Sequence, residues 1–472
     1  MKKNVIYNTI YRIIRIITQL YVISFASRKL GANGLGEYTL AMTYANYAIM
    51  LANLGSDRFA SREIAYYRND ERMVSEIFKN IMLIRILSFG FIGEIYYILF
   101  FVLHINDNYS IKICIIQILS YAFDVSWLFI GLENMSKIVI KNSIVQIGSV
   151  ILISLFAKNS NHTSRCTFIM VMGIAFGNII LLKDIPRYIF QYKLKLKNLG
   201  YYIRNSISMF IPNIAIQVYV SLDKILLGNV LGNYQLGLYE ASCKLVDATA
   251  LVQAAVVATT PTLAFLYANQ KKDRFLEQAK KTFRMINFLA FPMCFGMIGI
   301  AANFVPWYLG KDMMEVVNLM YLSAFFILTK CWSCVFGDQI LMVSQNQKYY
   351  TYGVVTGAVL DIILNILLIY PFQVYGVLVA SLVAEYIGMI IMMQAVKKKI
   401  GISIKRLYKG TGKYLILSIC MCILIYLVGL KTPISLLGTF MQVAIGIIFY
   451  FVILFFCHDE NITQIRKILL HI

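Results

Sequence analysis

The sequence predicts an all-α polytopic membrane protein of about fourteen transmembrane helices. Two six-helix lobes, related by a parallel repeat, are expected around a central cavity, with two extra helices at the C-terminus. Three observations predict this: fourteen long apolar stretches, a glycine-rich turn that occurs twice, and charged residues placed inside the apolar stretches. Of the 472 residues 59% are hydrophobic and 14% charged, with mean hydropathy +0.70. A soluble chain of this length has no use for so much apolar surface.

The stretches cover residues 5–30, 37–54, 77–103, 111–132, 138–157, 166–182, 207–231, 236–267, 285–309, 316–343, 349–370, 374–396, 414–430 and 434–457. Most reach the ~20 residues needed to cross a hydrocarbon core of ~30 Å. The first is long, carries Arg12 and Arg15 and lacks a small-residue cleavage site, so it is expected to be a retained helix.

The net charge is +21. Its basic residues cluster in alternate loops: Arg58 to Arg72, Lys183 to Arg204, Lys271 to Arg284 and Lys397 to Lys413. That asymmetry follows the positive-inside rule and places both termini in the cytoplasm. The charge is therefore an orientation signal with attraction to anionic headgroups, and no nucleic-acid partner is expected. Cys331 and Cys334 form a C-x-x-C inside an apolar span with no histidine near, so they are expected to be reduced, buried residues. No metal site and no bound cofactor are expected.

Leu30, Gly31, Leu35, Gly36 and Tyr38 match Leu231, Gly232, Leu236, Gly237 and Tyr239 at constant offset. Each segment joins two apolar stretches, and its glycines suit a tight reversal. An even number of spans separates the copies, so both keep one orientation and the repeat is parallel. The expected organisation is an N-terminal six-helix lobe over residues 1–183, a basic cytoplasmic linker over 184–206 and a second six-helix lobe over 207–396. A basic loop over 397–413 and two helices with a tail over 414–472 complete it.

Helix one carries Asn8, Arg12, Arg15 and Gln19 on one face. Arg85 and Glu94 lie in the third stretch, Asp124 in the fourth, and Asn213, Gln217, Asp223 and Lys224 in the seventh. Glu240, Lys244 and Asp247 follow in the eighth, Lys330 and Asp338 in the tenth, then Asp361 and Glu385. A central charge costs ~2.5–3.5 kcal/mol on the lower insertion scale, so six basic residues facing lipid would cost roughly 15–20 kcal/mol. These groups must face protein or water. Arg12, Arg15, Arg85, Lys224, Lys244 and Lys330 are the candidates for binding an anionic cargo, because guanidinium and ammonium groups recognise phosphate oxygens. Asp124, Glu240 and Asp247 are the candidates for ion coupling, by protons or sodium. Plainer alternatives stand beside these roles. Glu240 and Lys244 can neutralise each other at i, i+4, Arg12 can snorkel, and Asp223, Lys224 and Asp338 can be interfacial charges. Asp361 and Glu385 can pair with a cation across the bundle.

Asp124-Val-Ser-Trp-Leu-Phe-Ile-Gly-Leu-Glu133 resembles a motif of the Wzx-type polysaccharide flippases of the MOP superfamily. Ser27 to Tyr38, Asn53 to Glu63, Asp223 to Gly228, Leu364 to Ile369 and Glu385 resemble further segments of that family, in the same order. The resemblance implies a flippase that moves undecaprenyl-diphosphate-linked oligosaccharide across the bacterial cytoplasmic (inner) membrane by ion-driven alternating access, for O-antigen or capsule biosynthesis. It further implies membrane lipids, a polysaccharide polymerase and a chain-length regulator as partners, and a groove for the lipid tail beside the last two helices. The competing readings are a MATE-type multidrug antiporter, which would want a net acidic pocket, and a peptidoglycan-precursor lipid flippase. A membrane glycosyltransferase would need a large outer loop, which this sequence lacks, so the chain is expected not to be an enzyme.

Overall fold

The computed structural model describes residues 2–156, 163–189, 198–257 and 259–463, without the side chains of residues 2–16, 187, 211–220, 248, 250, 251, 254 and 255. The described residues form helices and no strand. Two compact units are present, Met1–Glu240 and Ala241–Ile472.

The first unit contains α1 (Lys2–Asn53), α2 (Ser56–Tyr66), α3 (Glu71–Tyr97), α4 (Tyr109–Ile113), α5 (Ile115–Tyr121), α6 (Ser126–Gly131), α7 (Met135–Phe156), α8 (Thr163–Ile180) and α9 (Leu199–Leu226). Helix α10 (Asn233–Val246) begins in it and ends in the second unit. The second unit continues with α11 (Ala250–Val257), α12 (Thr260–Ala268), α13 (Lys272–Tyr308), α14 (Val316–Ser323), α15 (Phe326–Ser333), α16 (Gln347–Ala395), α17 (Ile404–Tyr408), α18 (Gly412–Gly429) and α19 (Leu436–Phe456).

Among the described residues, eight helical segments are long and apolar enough to cross a membrane, and one of them, Gln347–Ile400, contains two of the predicted spans. Its backbone breaks at Gln373 (φ 52°, ψ −134°), just after Pro371. The protein is therefore an all-helical, multi-pass membrane protein. The fourth predicted span is not continuous: it is divided among α4, α5 and α6, with a non-helical break at residues 122–125. The eighth is also divided, with a 3₁₀ turn over Asp247–Thr249 between α10 and α11.

The repeated turn takes the same backbone form in both copies. Gly31 has φ 68° and ψ −174°, and Gly232 has φ 89° and ψ 173°. Residues with a side chain rarely enter that region, which explains the glycine in each copy. The two turns also cross each other within the first unit. A Cβ added at Gly36 would lie 1.7 Å from the carbonyl oxygen of Asn233, and one at Gly237 would lie 1.9 Å from that of Ala32. Ala32 and Asn233 are themselves repeat equivalents, so the contact is reciprocal, as in a two-fold interface. Asn229 adds a hydrogen bond to the Tyr44 hydroxyl at 2.7 Å, and Tyr202 packs edge-on against Phe59. These contacts seat the seventh predicted span on the first unit, whose core holds Phe59, Phe78, Trp127 and Phe129.

In the second unit α13 is the central member. The Tyr450 hydroxyl of α19 donates to the Phe288 carbonyl at 2.9 Å, and Trp307 donates to Thr439 at 2.6 Å. Asn303 donates to the Gly429 carbonyl of α18 at 3.0 Å. Such interhelical bonds hold where lipid offers no competing partner. Beyond α19, Asp459 is buried and accepts from the Tyr414 hydroxyl and the Asn461 amide, both at 2.8 Å, and from Lys413. Arg284 of α13 pairs with Glu460 beside it. Burial alone would raise the Asp459 pKa; the Lys413, Tyr414 and Asn461 donors overcome it and hold the carboxyl below its usual range.

Gly36→Ala and Gly237→Ala are each expected to lower the thermal midpoint of the detergent-solubilised protein, since overpacking costs about 1–3 kcal/mol or more. Unchanged midpoints in both would show that the crossing is loose. A depressed carboxyl contributes stability above its unfolded pKa of ~3.9 and loses it as pH falls further. Asp459→Asn should accordingly lower the midpoint at pH 7, and its deficit against the parent should shrink below about pH 4. A deficit independent of pH would sink that assignment.

Candidate functional site

The break in the fourth predicted span organises the polar interior of the first unit. The Tyr121 carbonyl, at the end of α5, accepts from the Asp124 amide at 3.2 Å in a turn and from Arg85 Nη2 at 2.6 Å. Arg85 Nη1 donates to Asn53 Oδ1 at 3.1 Å, to Ser56 Oγ at 3.2 Å and to the Asp57 carboxylate. Its guanidinium lies 5.1 Å from the centre of the Phe89 ring. Arg85 is fully buried; protein acceptors take both terminal nitrogens, and only its Nε has no hydrogen-bond partner among the described residues. A buried charge is tolerated only with such pairing and hydrogen bonding.

Asp124, on the other side of the break, accepts from the Ser126 amide at 3.1 Å and its hydroxyl at 2.5 Å, which fixes the start of α6. It also pairs with Lys141 at 3.3 Å. The Lys141 ammonium meets Ser126 Oγ at 3.1 Å and Asn178 Oδ1 at 3.5 Å. Asn178 in turn donates to Ser120 Oγ at 3.4 Å. Asp57, Arg85, Asp124 and Lys141 thus form a balanced string of two carboxylates and two cations. Lys141 was not singled out by sequence reading because it lies close to the start of a predicted span. Its signal was available: a lysine in a predicted membrane helix with Asp124 nearby in sequence. Gly177 of α8 lets that helix pack closely on α7: an added Cβ would lie 2.5 Å from Val145 Cγ2, with Lys141 Cγ in ordinary contact at 3.6 Å.

At the end of the first unit Lys224 pairs with Glu240 at 2.8 Å, and the Tyr239 hydroxyl donates to Asp223 at 2.8 Å. Sequence reading offered Lys244 as a partner of Glu240 at i, i+4; the packing of α9 against α10 adds Lys224 as a close cation.

In the second unit three predicted residues come together. Asp247 accepts from Lys244 at 3.3 Å and faces Lys330 of α15 at 3.8 Å. Lys244, Asp247 and Lys330 are 34%, 43% and 36% exposed. This is the most accessible of the clusters built from predicted residues, and its three groups sum to one positive charge. Nearby, Glu385 accepts from Thr329 at 2.6 Å. Asp361 is buried, and Asp338 is exposed on a π-helical turn over Cys334–Leu341. Cys331 and Cys334 are buried thiols. The side chains of Asn8, Arg12, Arg15, Asn213 and Gln217 lie outside the described residues.

Chemically, the arrangement offers balanced ion pairs within the first unit and an accessible cationic group in the second. Comparison with known proteins agrees with such a transporter. The profile of a family described as polysaccharide biosynthesis protein matches residues 1–266, and that of the lipid II flippase MurJ matches residues 248–446. A protein of Shigella dysenteriae provisionally described as an O-antigen transporter is 22% identical over 407 residues, covering 84% of this chain and 100% of that one. Among solved structures, lipid II flippase MurJ in an inward closed conformation is similar in fold, with TM-score 0.67 and 17% identity over 97% of this chain and 99% of that one. An inward-facing MATE-family multidrug transporter of the MOP superfamily gives TM-score 0.63 at 9% identity, over 83% of this chain and 96% of that one. The first profile spans more than half of the sequence, and the chain belongs to the polysaccharide biosynthesis protein family.

Proposed function

We propose that this chain is a flippase, a transporter and not an enzyme, for undecaprenyl-diphosphate-linked oligosaccharide repeat units. It moves them from the inner to the outer leaflet of the bacterial cytoplasmic membrane, by ion-coupled alternating access, to supply O-antigen or capsule synthesis. The single observation that carries the reading is the Lys244–Asp247–Lys330 cluster. Two ammonium groups share one carboxylate, in segments otherwise suited to lipid, and all three are accessible. A diphosphate brought there exchanges its hydration for charge-assisted hydrogen bonds. The family match and the O-antigen transporter relative support the choice of cargo.

Lys244 and Lys330 are the proposed diphosphate contacts, joined by Arg12 and Arg15. Arg85 and Lys224, already paired with Asp57 and Glu240, keep the protein in shape around the cargo. Asp124, Glu240 and Asp247 remain the proposed coupling carboxylates. The two six-helix lobes of residues 1–183 and 207–396 are the proposed moving bodies, supported by the repeated turn. Basic loops on alternate sides support cytoplasmic termini. A polymerase and a chain-length regulator are the proposed partners downstream. The MurJ profile over residues 248–446 favours a second reading, a lipid-linked peptidoglycan precursor as cargo.

Complementation of a deletion strain separates these ideas. The double variant Lys244→Ala, Lys330→Ala should lose surface polysaccharide at least tenfold at unchanged protein level and with little change in thermal midpoint. Arg85→Ala should instead destabilise the protein by roughly 2–4 kcal/mol, below a fully buried pair because Asp57 is 42% exposed. Full surface polysaccharide in the double variant would sink the cationic cargo site. Loss of cell-wall precursor flipping with polysaccharide intact would select the second reading.

A further inference from the structure

Three oxygens surround the Lys141 ammonium: Asp124 Oδ1 at 3.3 Å, Ser126 Oγ at 3.1 Å and Asn178 Oδ1 at 3.5 Å. They come from the broken fourth span and from α8, and Lys141 itself comes from α7. One carboxylate, one hydroxyl and one amide carbonyl form the kind of hard-oxygen set that holds a small cation in place of its water shell. The lysine has three donors for the three acceptors and is buried. Its stem lies in ordinary contact distance of Gly177 on α8. The cage is thus filled by a cation that is covalently part of the chain.

We propose that Lys141 is the resident cation of this cage and closes it to free sodium. This deepens the function proposed above and rests on it for one consequence: sodium binding at Asp124 does not drive the cycle, which leaves the proton gradient for that carboxylate. The charged groups around the cage are consistent with a single occupying cation. Asp124 faces Lys141 directly. Arg85 bonds the Tyr121 carbonyl at the same break and is neutralised by Asp57. One turn away on α7, Lys137 is paired with Asp184 at 2.8 Å. Helix α1 also packs on α7, through Thr18 to Gln146 at 3.2 Å and Tyr21 to Ser154 at 3.1 Å, neither of them charged.

Removing the tethered ammonium should open the cage to an alkali cation. The purified full chain is unfolded thermally in detergent at pH 7 in sodium, potassium or choline chloride at equal ionic strength. Each protein is read against its Asp124→Asn counterpart, which removes the cage carboxylate. The parent should show no alkali-specific shift. Lys141→Ala should be destabilised in choline and regain several degrees in sodium or potassium chloride. Lys141→Gln, which keeps a polar stem, serves in the same way should the alanine variant not fold in choline. An Asp124-dependent sodium shift in the parent overturns the proposal, as does the absence of any alkali shift in both lysine variants.

A transport arm separates failure of the cage from failure of the function. Parent protein in vesicles is given a fluorescent undecaprenyl-diphosphate oligosaccharide under an imposed sodium or proton gradient. Acceleration by the proton gradient alone is expected, and acceleration by sodium that is lost in Asp124→Asn overturns the consequence drawn for coupling. If the parent moves no lipid-linked oligosaccharide under either gradient, the proposed function fails, and the thermal measurement still judges the cage.

Discussion

An ionised side chain inside a hydrocarbon slab has to find its solvation within the protein, and the first unit is organised around that constraint. Arg85 is the clearest case. It has no contact with solvent, and its two terminal nitrogens take the Asp57 carboxylate, two polar side chains near the α1–α2 junction and one main-chain carbonyl. That carbonyl closes α5 at the point where the fourth span is interrupted. The same interruption lets Asp124 accept from the Ser126 amide at the start of α6 and reach Lys141. The irregular backbone sits inside the protein, where side chains supply the bonds that lipid cannot.

Much of the fold was legible because hydropathy and turn chemistry act locally. Apolar runs report helices, and the matching glycines at 31 and 232 report a shared turn whose dihedral angles agree in the two copies. The break in the fourth span was not legible in the same way. Residues 122–125 are mostly apolar, and a hydropathy window does not register where a main-chain carbonyl is directed. The clusters were partly legible: Lys244, Asp247 and Lys330 were each marked by charge, although their meeting depends on how α10 and α15 pack. Lys141 escaped notice because a lysine near a span boundary looks interfacial. Asp57 was read only as part of a motif, since its partner Arg85 lies on another helix. For Glu240, helical spacing marks Lys244, and only the packing of a second helix adds Lys224.

The last two helices acquire a definite structural place. Hydrogen bonds from Tyr450, Trp307 and Asn303 fasten α18 and α19 to α13, and the Asp459 and Glu460 contacts fasten the segment beyond them. Any displacement of α13 carries this pair with it. They are therefore part of the second unit's framework rather than an appended anchor.

The string of Asp57, Arg85, Asp124 and Lys141 alternates in sign along the chain, with each acid preceding its base. A polypeptide leaves the ribosome N-terminus first. Each cation thus reaches the bilayer when its carboxylate has already been delivered, and never the reverse. The order of synthesis itself shortens the time during which a buried base must wait for company.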